Sequence, residues 1–429
     1  MSMTKIEHRS IGAGVFFHSI RDTKFKTMRV SVHLMMPLCA ETAAANALLP
    51  FLLSRASREY PDYTRLGEHL AELYGASLNA DVQKIGDVQV LSVSASGISD
   101  RYALSGERIS MELAKLLCSV LFDPLFDRDG QFPEDGFLLE KRQTMEMIDS
   151  EFNDKRTYAK QRCVQVMCAE EPYGIPRYGS REKIKALTRE ALKEAWEAAV
   201  RTARIEVMAL GDCNPEEICP IFEEAVSRCK REPAAECGMQ VVKAAETVKE
   251  ETEQMEVAQS KLVMGFRLGT SAAEEQAFHA ARLMVAIFGG TPHSKLFLNV
   301  REKLSLCYYC AAGADGNKGI MMVDSGVETK NIDRARTEIL AQLEEIRSGN
   351  FTDEEVEAAK RSLCNAYRTV GDYIGGLENW YLSRTFQSRI DTPEETAEKI
   401  SAVTREEVIA AAKRTVLDTV YILTGGAEK

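Results

Sequence analysis

The sequence contains an internal repeat whose two copies are separated by about half of its 429 residues. The segments 186–190 (ALTRE) and 402–406 (AVTRE) share their spacing. Each leads through a helix-like pattern to a short apolar run, Ile205–Leu210 in the first copy and Val420–Leu423 in the second. The threonines of the two segments lie 216 residues apart. A repeat of this length indicates two copies of one domain.

Two further matches with nearly the same offset support the duplication. The segments 132–142 and 351–361 share a phenylalanine, an acidic residue and a Lys-Arg pair at an offset of 219 residues. The segments 73–75 (LYG) and 287–289 (IFG) correspond more loosely, at an offset of 214 residues. The matches occur in the same order in both halves, so the whole domain is duplicated and a functional site is expected in the cleft between the copies.

The domain boundaries follow from where the patterns of the two copies end. We predict an N-terminal domain over residues 1–228, a linker over 229–256 and a C-terminal domain over 257–429. The linker segment lacks a clean hydrophobic period and is rich in Glu and Lys. Two domains near 210 residues also fit the size at which a single hydrophobic core stops growing.

Each copy combines alternating strand patterns with several long helical patterns. In Met28–Met36 the apolar residues alternate with Arg29, Ser31 and His33, which is typical of a half-buried strand. The segment 43–56 is rich in Ala and Leu and predicts a helix, in which Pro50 should cause a kink or a break. Because the strands suit hairpins rather than parallel crossovers, we predict the α+β class.

Composition excludes several classes of function. The net charge of −11 argues against a general binder of nucleic acid phosphates. No apolar run approaches the roughly 20 residues that a membrane-spanning helix needs. The N-terminus runs directly into charged residues, and the eleven cysteines form no spaced framework, so we expect reduced thiols and a cytoplasmic location.

The histidines do not form a hydrolytic zinc site. Such a site needs two close histidines and a carboxylate, usually on one helix with a glutamate base between them. There are six histidines in the sequence, and none lies within five residues of another. His69 and Glu72 have the spacing of half such a motif, but Leu73 follows, so a surface histidine on an amphipathic helix is the favoured interpretation.

Three other segments carry possible chemistry. Cys307 and Cys310 have the spacing of a redox or metal motif, but on a strand residues three apart point to opposite faces, which disfavours both roles. The segment 289–295 has the glycines of a phosphate loop without its Gly-Lys-Ser/Thr ending, so we predict a turn into a helix. Arg301 and Tyr308 could together hold a peptide carbonyl or carboxylate, but taken alone the pattern favours ordinary solvent-exposed charge.

Over nearly its whole length the sequence resembles the insulinase-type (M16) peptidases, in particular small two-domain bacterial members related to mitochondrial processing peptidase. The resemblance rests on short motifs in a fixed order: Gly75-Ala-x-x-Asn79-Ala80, Glu140-Lys-Arg, Pro172-Tyr-Gly, Leu187-Thr-Arg-Glu, Gly289-Gly290, Ser294-Lys-Leu-Phe and Val300-Arg-Glu-Lys-x-x-Leu-x-Tyr308. The family implies two homologous α/β-roll domains joined by a linker.

The zinc motif of that family is missing. The family has His-x-x-Glu-His on its first helix, where the alignment places Asn46, Leu49 and Pro50. Its distal glutamate ligand should stand seven residues after Glu140, where this sequence has Met147. None of the replacements can bind zinc or deprotonate water. We therefore expect no metal on this chain and no peptidase activity from the chain alone.

What remains of the family's machinery implies a supporting role. In two-subunit members one chain carries zinc and the other supplies an Arg–Tyr pair, here Arg301 and Tyr308. Asn79 and Ala80 would begin an edge strand that pairs with an extended peptide. The resemblance thus implies a non-catalytic subunit that binds peptide beside a zinc-bearing homologue, in a chamber that the domains or subunits enclose.

Two alternatives stay open at this point. The chain could be a self-associating peptide-binding or scaffold protein without any part in cleavage. It also resembles a bacterial branch linked to modification of elongation factor P, for which the sequence offers no cofactor motif.

Overall fold

The computed structural model describes residues 6–387 and 389–425. Residues 1–5, 388 and 426–429, which include the outer ends of both predicted domains, lie outside the described part. The chain divides into two compact units. Unit 1 comprises Met1–Ile148, Ile175–Gly238 and Asp372–Ser383, and unit 2 comprises Asp149–Gly174, Met239–Gly371 and Arg384–Lys429.

Unit 1 is built on a six-stranded sheet of order β1-β2-β6-β3-β5-β4. Its strands are β1 (Glu7–Gly12), β2 (Val15–Arg21), β3 (Thr27–Pro37), β4 (Ser77–Ile85), β5 (Val88–Ile98) and β6 (Arg204–Gly211). Its helices are α1 (Ala43–Leu53), α2 (Tyr63–Glu72), α3 (Ile109–Phe122), most of α4 (Glu134–Asn153), α6 (Arg181–Ala186), α7 (Arg189–Thr202), α8 (Pro215–Ser227) and α12 (Ile374–Leu382).

Unit 2 is built on a five-stranded sheet of order β7-β11-β8-β10-β9. Its strands are β7 (Lys249–Gln254), β8 (Ser260–Arg267), β9 (Cys307–Asp315), β10 (Ile320–Val327) and β11 (Val416–Thr424). Its helices are α5 (Lys155–Met167), α9 (Glu275–Val285), α10 (Ile332–Arg347), α11 (Asp353–Arg368), α13 (Pro393–Ala402) and α14 (Arg405–Arg414). Two π-helical segments, Ala286–Gly290 and Leu296–Lys303, follow α9.

The two sheets have the same topology apart from the extra strand β1. In each, the chain order of the shared strands and their directions correspond: β2 lies parallel to β6 as β7 lies parallel to β11, and the remaining neighbours are antiparallel. The predicted α+β class with two homologous domains is therefore confirmed.

The sequence repeat also has the same local role in both units. Thr188 and Thr404 each cap a helix, α7 and α14, by accepting a hydrogen bond at the side chain. The arginine that follows each threonine donates to a phenylalanine carbonyl: Arg189 reaches the Phe132 oxygen at 3.2 Å, and Arg405 reaches the Phe351 oxygen at 2.5 Å. In both units the repeated segment therefore binds the backbone just before a long helix, α4 in unit 1 and α11 in unit 2.

In unit 1 a helix from the second half of the sequence covers the side of the sheet opposite the main helices. Val30, Val32 and Leu34 of β3 pack into the helix-covered core, so the intervening residues of β3 point to the other face. There the Glu378 carboxylate of α12 lies 2.6 Å from Arg29 Nε and 3.4 Å from His33 Nε2.

Unit 2 receives a helix from the first half of the sequence in the same manner. Helix α5 packs on β8, β10 and β11, and here the helix brings the cation: Arg156 Nε lies 2.5 Å from the Asp324 carboxylate of β10. Gly265 of β8 permits close packing, since a Cβ there would lie 2.7 Å from the Met167 sulfur. The sign of the ion pair is reversed relative to unit 1.

A buried four-charge cluster fixes the end of α5 to the sheet of unit 2. Arg267 Nε lies 2.7 Å from the Asp418 carboxylate, and its Nη2 lies 2.7 Å from Glu171 and donates to the Met167 carbonyl at 3.2 Å. Lys318 Nζ binds the other oxygen of Glu171 at 2.8 Å. All four charged side chains are buried, and two positive charges balance two negative ones, which is the condition for tolerating charge in a protein interior.

Three sequence expectations differ from the structure. The segment 229–256, predicted as linker, contains β7, whose polar sequence KEETEQ gives no hydrophobic signal because the strand lies at a sheet edge. The helical pattern of residues 134–168 predicts one long helix, but the structure has two, because Asp154 interrupts the pattern and its side chain caps α5. Helix α1 continues through Pro50 to Leu53.

Within the described residues, no helix combines the length and the apolar character needed to cross a membrane.

Glu378 should be essential for the stability of unit 1. Its pKa is lowered from 4.5 to about 2, because its interactions with His33 and Arg29 outweigh the opposing effect of burial. The resulting stabilisation is complete above pH 4.5 and is lost as the pH falls towards 2. We expect Glu378→Gln to lower the free energy of unfolding at pH 7 by about 3 kcal/mol, and the difference from wild type to shrink at pH 3.

Hydrogen exchange by mass spectrometry locates that effect. In Glu378→Gln, protection should fall in β3 and β6 and remain in β8 and β10. Arg156→Ala, on helix α5 of unit 2, is the matched control and should lower protection in β8 and β10 but not in β3 and β6. Equal loss of protection in both sheets from either variant would contradict the separate docking of the two helices.

Candidate functional site

The first three positions aligned with the family's zinc motif lie on helix α1. Asn46 is buried, and its side-chain Nδ2 donates to the Gln89 Oε1 of strand β5 at 3.2 Å. Gln89 is fully buried, and its Nε2 donates to the backbone carbonyls of Ala43 and Arg177 at 3.0 and 2.7 Å. A chain of neutral amides therefore satisfies the polar groups at this position.

The other two positions on α1 belong to the core. Leu49 is fully buried and packs in the main hydrophobic cluster of unit 1. Pro50 has no N–H to donate, and its own carbonyl accepts hydrogen bonds from the Ser54 backbone N–H at 3.2 Å and the Ser54 hydroxyl at 2.7 Å. Neither side chain offers a metal ligand or a base.

Helix α4 supplies no carboxylate in place of the missing ligand. Met147 is half-buried against the hydrophobic core of unit 1. Glu140, two turns earlier, is buried, and its carboxylate lies 2.9 Å from the Arg55 guanidinium. Glu146 is exposed and lies 3.7 Å from Arg142. The one buried carboxylate of this helix is thus neutralised by an arginine.

The residues at these positions do not fit zinc. An amide, a leucine, a proline and a methionine replace two imidazoles and two carboxylates, and zinc in proteins is held by imidazole nitrogen, thiolate or carboxylate. Throughout residues 6–387 and 389–425, no group of three or more His, Cys, Asp and Glu side chains is arranged to hold a metal ion.

Arg301 lies in the π-helical segment Leu296–Lys303 of unit 2. Its guanidinium lies 4.6 Å from the centre of the Phe297 ring and 3.6 Å from the Glu302 carboxylate, and its side chain is 39% exposed. The aromatic ring restrains the guanidinium on one face while leaving its N–H groups accessible. π-Helical turns are rare and are frequent at functional sites.

Tyr308 lies on the edge strand β9 and is 65% exposed. In the pairing of β9 with β10, Val327 faces Cys307 and Gly326 faces Tyr309, so Tyr308 is an inserted residue without a partner across the strand. This β-bulge directs the tyrosine side chain to solvent. Bulges of this kind reorient side chains next to functional sites.

The bulge corrects the expectation for Cys307 and Cys310. With one residue inserted between them the two side chains reach the same face of β9, where both are buried in one hydrophobic cluster. Their side chains form a hydrogen bond that lowers the pKa of Cys307, an effect aided by the Arg301 charge and opposed by burial. The same hydrogen bond, together with burial, raises the pKa of Cys310 well above its usual value.

Asn79 and Ala80 lie on β4, which is the edge strand of the sheet in unit 1. Asn79 is exposed and faces Ser94 across the pair, and Ala80 faces Val93. Strand β4 occupies the place in its sheet that β9 occupies in the sheet of unit 2. Asn79, Ala80 and Tyr308 therefore lie on equivalent edge strands, whereas Arg301 lies in the π-helical segment Leu296–Lys303.

Sequence reasoning missed the partners that stabilise the altered zinc positions. Gln89 could have been identified from the sequence, because it is a polar residue within the otherwise apolar start of β5. A buried polar side chain in such a run needs a hydrogen-bond partner. The role of Arg55 could not be predicted, since it pairs with Glu140, which lies 85 residues away in the sequence.

Comparisons with known proteins agree with this geometry. The family described as "Peptidase M16 inactive domain" matches residues 186–363. A protein of Bacillus subtilis named "Probable inactive metalloprotease YmfF" is 30% identical over 427 residues, which cover 98% of each chain. The chain belongs to the M16 peptidase family. It is homologous to a protein that is named as a probable inactive metalloprotease.

Solved structures agree with the assignment. A conserved protein from Enterococcus faecalis V583 is 31% identical, with a TM-score of 0.91 and 99% of each chain covered. A protease from Helicobacter pylori shares the fold, with a TM-score of 0.81 at 13% identity over 99% of this chain and 100% of that chain.

The amide chain of α1 and β5 should be needed for stability. We expect Gln89→Leu to lower the free energy of unfolding by about 2–3 kcal/mol, because it removes the hydrogen bond from the buried Asn46 amide and the two bonds that Gln89 donates to the Ala43 and Arg177 carbonyls. Urea denaturation measures the change. Gln83→Leu, on the half-buried edge strand β4, is the control and should change stability by less than about 0.5 kcal/mol. Equal stability of Gln89→Leu and wild type would mean that the amides are not required.

The purified chain should not retain zinc. After incubation with excess zinc and desalting, inductively coupled plasma mass spectrometry should find far less than one zinc ion per chain. One tightly bound ion on the chain alone would show that the alignment of Asn46, Leu49, Pro50 and Met147 with the zinc ligands is wrong.

Proposed function

We propose that this chain is a non-catalytic subunit of an M16-type zinc peptidase. It binds an extended peptide and contributes Arg301 and Tyr308 to a homologous, zinc-bearing partner subunit. The observation that carries the proposal is the contrast between its two halves. The positions aligned with the zinc ligands pack in or against the hydrophobic core of unit 1. The edge strands β4 and β9 and the side chains of Arg301 and Tyr308 are accessible to solvent.

The two edges of the sheet in unit 2 support peptide binding at β9. Strand β7 carries four charged residues among six, the usual protection of an edge against pairing with another strand. From Cys307 to Ala314, strand β9 carries none. An uncharged edge offers its free N–H and C=O groups to an added strand, which is how extended peptides bind by β-augmentation.

Arg301 suits the recognition of a peptide carbonyl or carboxylate. Its guanidinium is a planar donor that stays charged at any physiological pH, and stacking on Phe297 reduces the conformational freedom lost on binding. Glu302, at 3.6 Å, is an exposed partner that a ligand oxygen can displace at little cost.

Tyr308 suits stabilisation of developing negative charge. Its hydroxyl lies on an exposed side chain at the bulge and can donate a hydrogen bond to the oxygen of the scissile carbonyl. The partner subunit supplies the metal and the attacking water. The residues of this chain bind, orient and donate.

A complex purified from the organism's own cells tests the proposal. Native mass spectrometry should find this chain bound to a second chain of similar mass that carries one zinc ion. A metal-free homodimer without a partner would overturn the subunit role and favour the scaffold function. Involvement in modification of a translation factor would be indicated instead if such a factor or its modifying enzyme co-purified.

Substitutions separate the roles of the two residues in that complex. Arg301→Ala should raise KM for a peptide substrate at least tenfold, and Tyr308→Phe should lower kcat about 100-fold with little change in KM, because a donor used in the transition state is lost. Lys303→Ala, an exposed cation in the same π-helical segment, is the control and should leave both constants unchanged. Unchanged kcat/KM in both variants would refute the assigned roles.

A further inference from the structure

The thiols of Cys307 and Cys310 have an arrangement that the proposed function does not use. Both side chains lie on one face of the bulged start of β9, opposite Val327 and Ser325 of β10, and both are buried in one hydrophobic cluster. Ordinary buried cysteines of this protein differ. Burial raises the pKa of Cys163, Cys168 and Cys213, which makes them unreactive.

We propose that Cys307 and Cys310 form a reversible dithiol–disulfide site that is oxidised by hydroperoxides. Cys307 is the attacking thiol and Cys310 the resolving thiol. The site consists of the two cysteines, the inserted Tyr308 between them and the nearby Arg301.

The assignment of the two roles follows from their surroundings. Cys307 is the first residue of the strand, and its pKa is lowered by the Cys310 thiol, against the effect of burial and with a smaller contribution from the Arg301 charge. Cys310 is deeper in the strand and keeps its proton. A thiolate stabilised by a neighbouring cation, with a second thiol in contact, is the usual arrangement of a peroxide-reactive pair.

The reaction balances with one equivalent of hydrogen peroxide. The Cys307 thiolate attacks one peroxide oxygen, so that an S–O bond forms, the O–O bond breaks and hydroxide leaves, giving a sulfenic acid. The Cys310 sulfur then attacks the Cys307 sulfur, the S–S bond forms and the S–O bond breaks. The proton of Cys310 leaves with the second hydroxide as water. Two thiols and one peroxide give one disulfide and two waters, and a small dithiol reverses the change by exchange.

Closing the bond requires a movement that this part of the fold can make. The sulfurs must approach to about 2.05 Å, which tightens the backbone between the two residues. Tyr308 has no partner across the strand, and β9 is bound to a neighbouring strand on one side only. The movement therefore breaks few hydrogen bonds. It also shifts the Tyr308 backbone, so that oxidation changes peptide binding at β9. This regulatory consequence rests on the proposed function, whereas the disulfide chemistry does not.

Mass spectrometry of the whole purified chain tests the chemistry alone. Trypsin releases residues 304–318 as one peptide that contains these two cysteines and no other. After one equivalent of hydrogen peroxide, denaturation and alkylation, this peptide should be mostly unalkylated and two hydrogens lighter, and dithiothreitol should restore alkylation at both sites. Cys364, which is 4% exposed like Cys310, is the internal control and should stay fully alkylated.

Two variants identify the intermediate. Cys310→Ser should accumulate a sulfenic acid on Cys307 that dimedone traps, and Cys307→Ser should leave Cys310 unoxidised. Hydrogen exchange of β8 and β10 confirms that each variant is folded. If the 304–318 peptide remains a dithiol while Cys364 or the partly exposed Cys39 is oxidised, the site does not exist. Disulfide formation without any change in peptide binding by the complex would retain the redox site and refute only its regulatory consequence.

Discussion

The fold depends on covering the second face of each sheet with a helix from the other half of the sequence. In unit 1 the sheet offers the cation Arg29 and helix α12 brings Glu378. In unit 2 the sheet offers carboxylates and helix α5 brings Arg156. A charge buried without its partner would cost several kcal/mol, so each sheet face tolerates only the helix of matching charge. Each unit is therefore completed by a segment from the other half of the sequence, Asp372–Ser383 in unit 1 and Asp149–Gly174 in unit 2.

The positions that align with the family's zinc motif are well packed in unit 1. A lost ligand leaves buried polar groups and space, and both are destabilising unless they are filled. In this chain the Asn46 amide bonds to Gln89, Glu140 is paired with Arg55, and Leu49 fills the core. These contacts stabilise unit 1 without metal.

Much of this architecture could be predicted from sequence, and the failures have physical causes. Strand β3 and the capped helices α7 and α14 carry strong local patterns and were found. Helix α12 was missed because it is short, has two adjacent glycines and is stabilised by contacts distant in sequence. The faces of Cys307 and Cys310 were predicted wrongly, since a bulge is defined by pairing with β10 and leaves no mark on β9 itself. Edge strand β4 was predicted, but the pairing of Glu140 with Arg55 was not.

Loss of catalysis and retention of peptide binding are physically separable in such a fold. Catalysis needs a few side chains held to within a fraction of an ångström, so replacing those few side chains is enough to abolish it. Binding by an added strand uses backbone N–H and C=O groups, which any sequence supplies as long as the edge stays open. An edge as long and uncharged as β9 is a liability for aggregation unless it has a partner. The peptide strand of the proposed function would cover this edge beside the accessible Arg301 and Tyr308 side chains, and would thereby remove the liability.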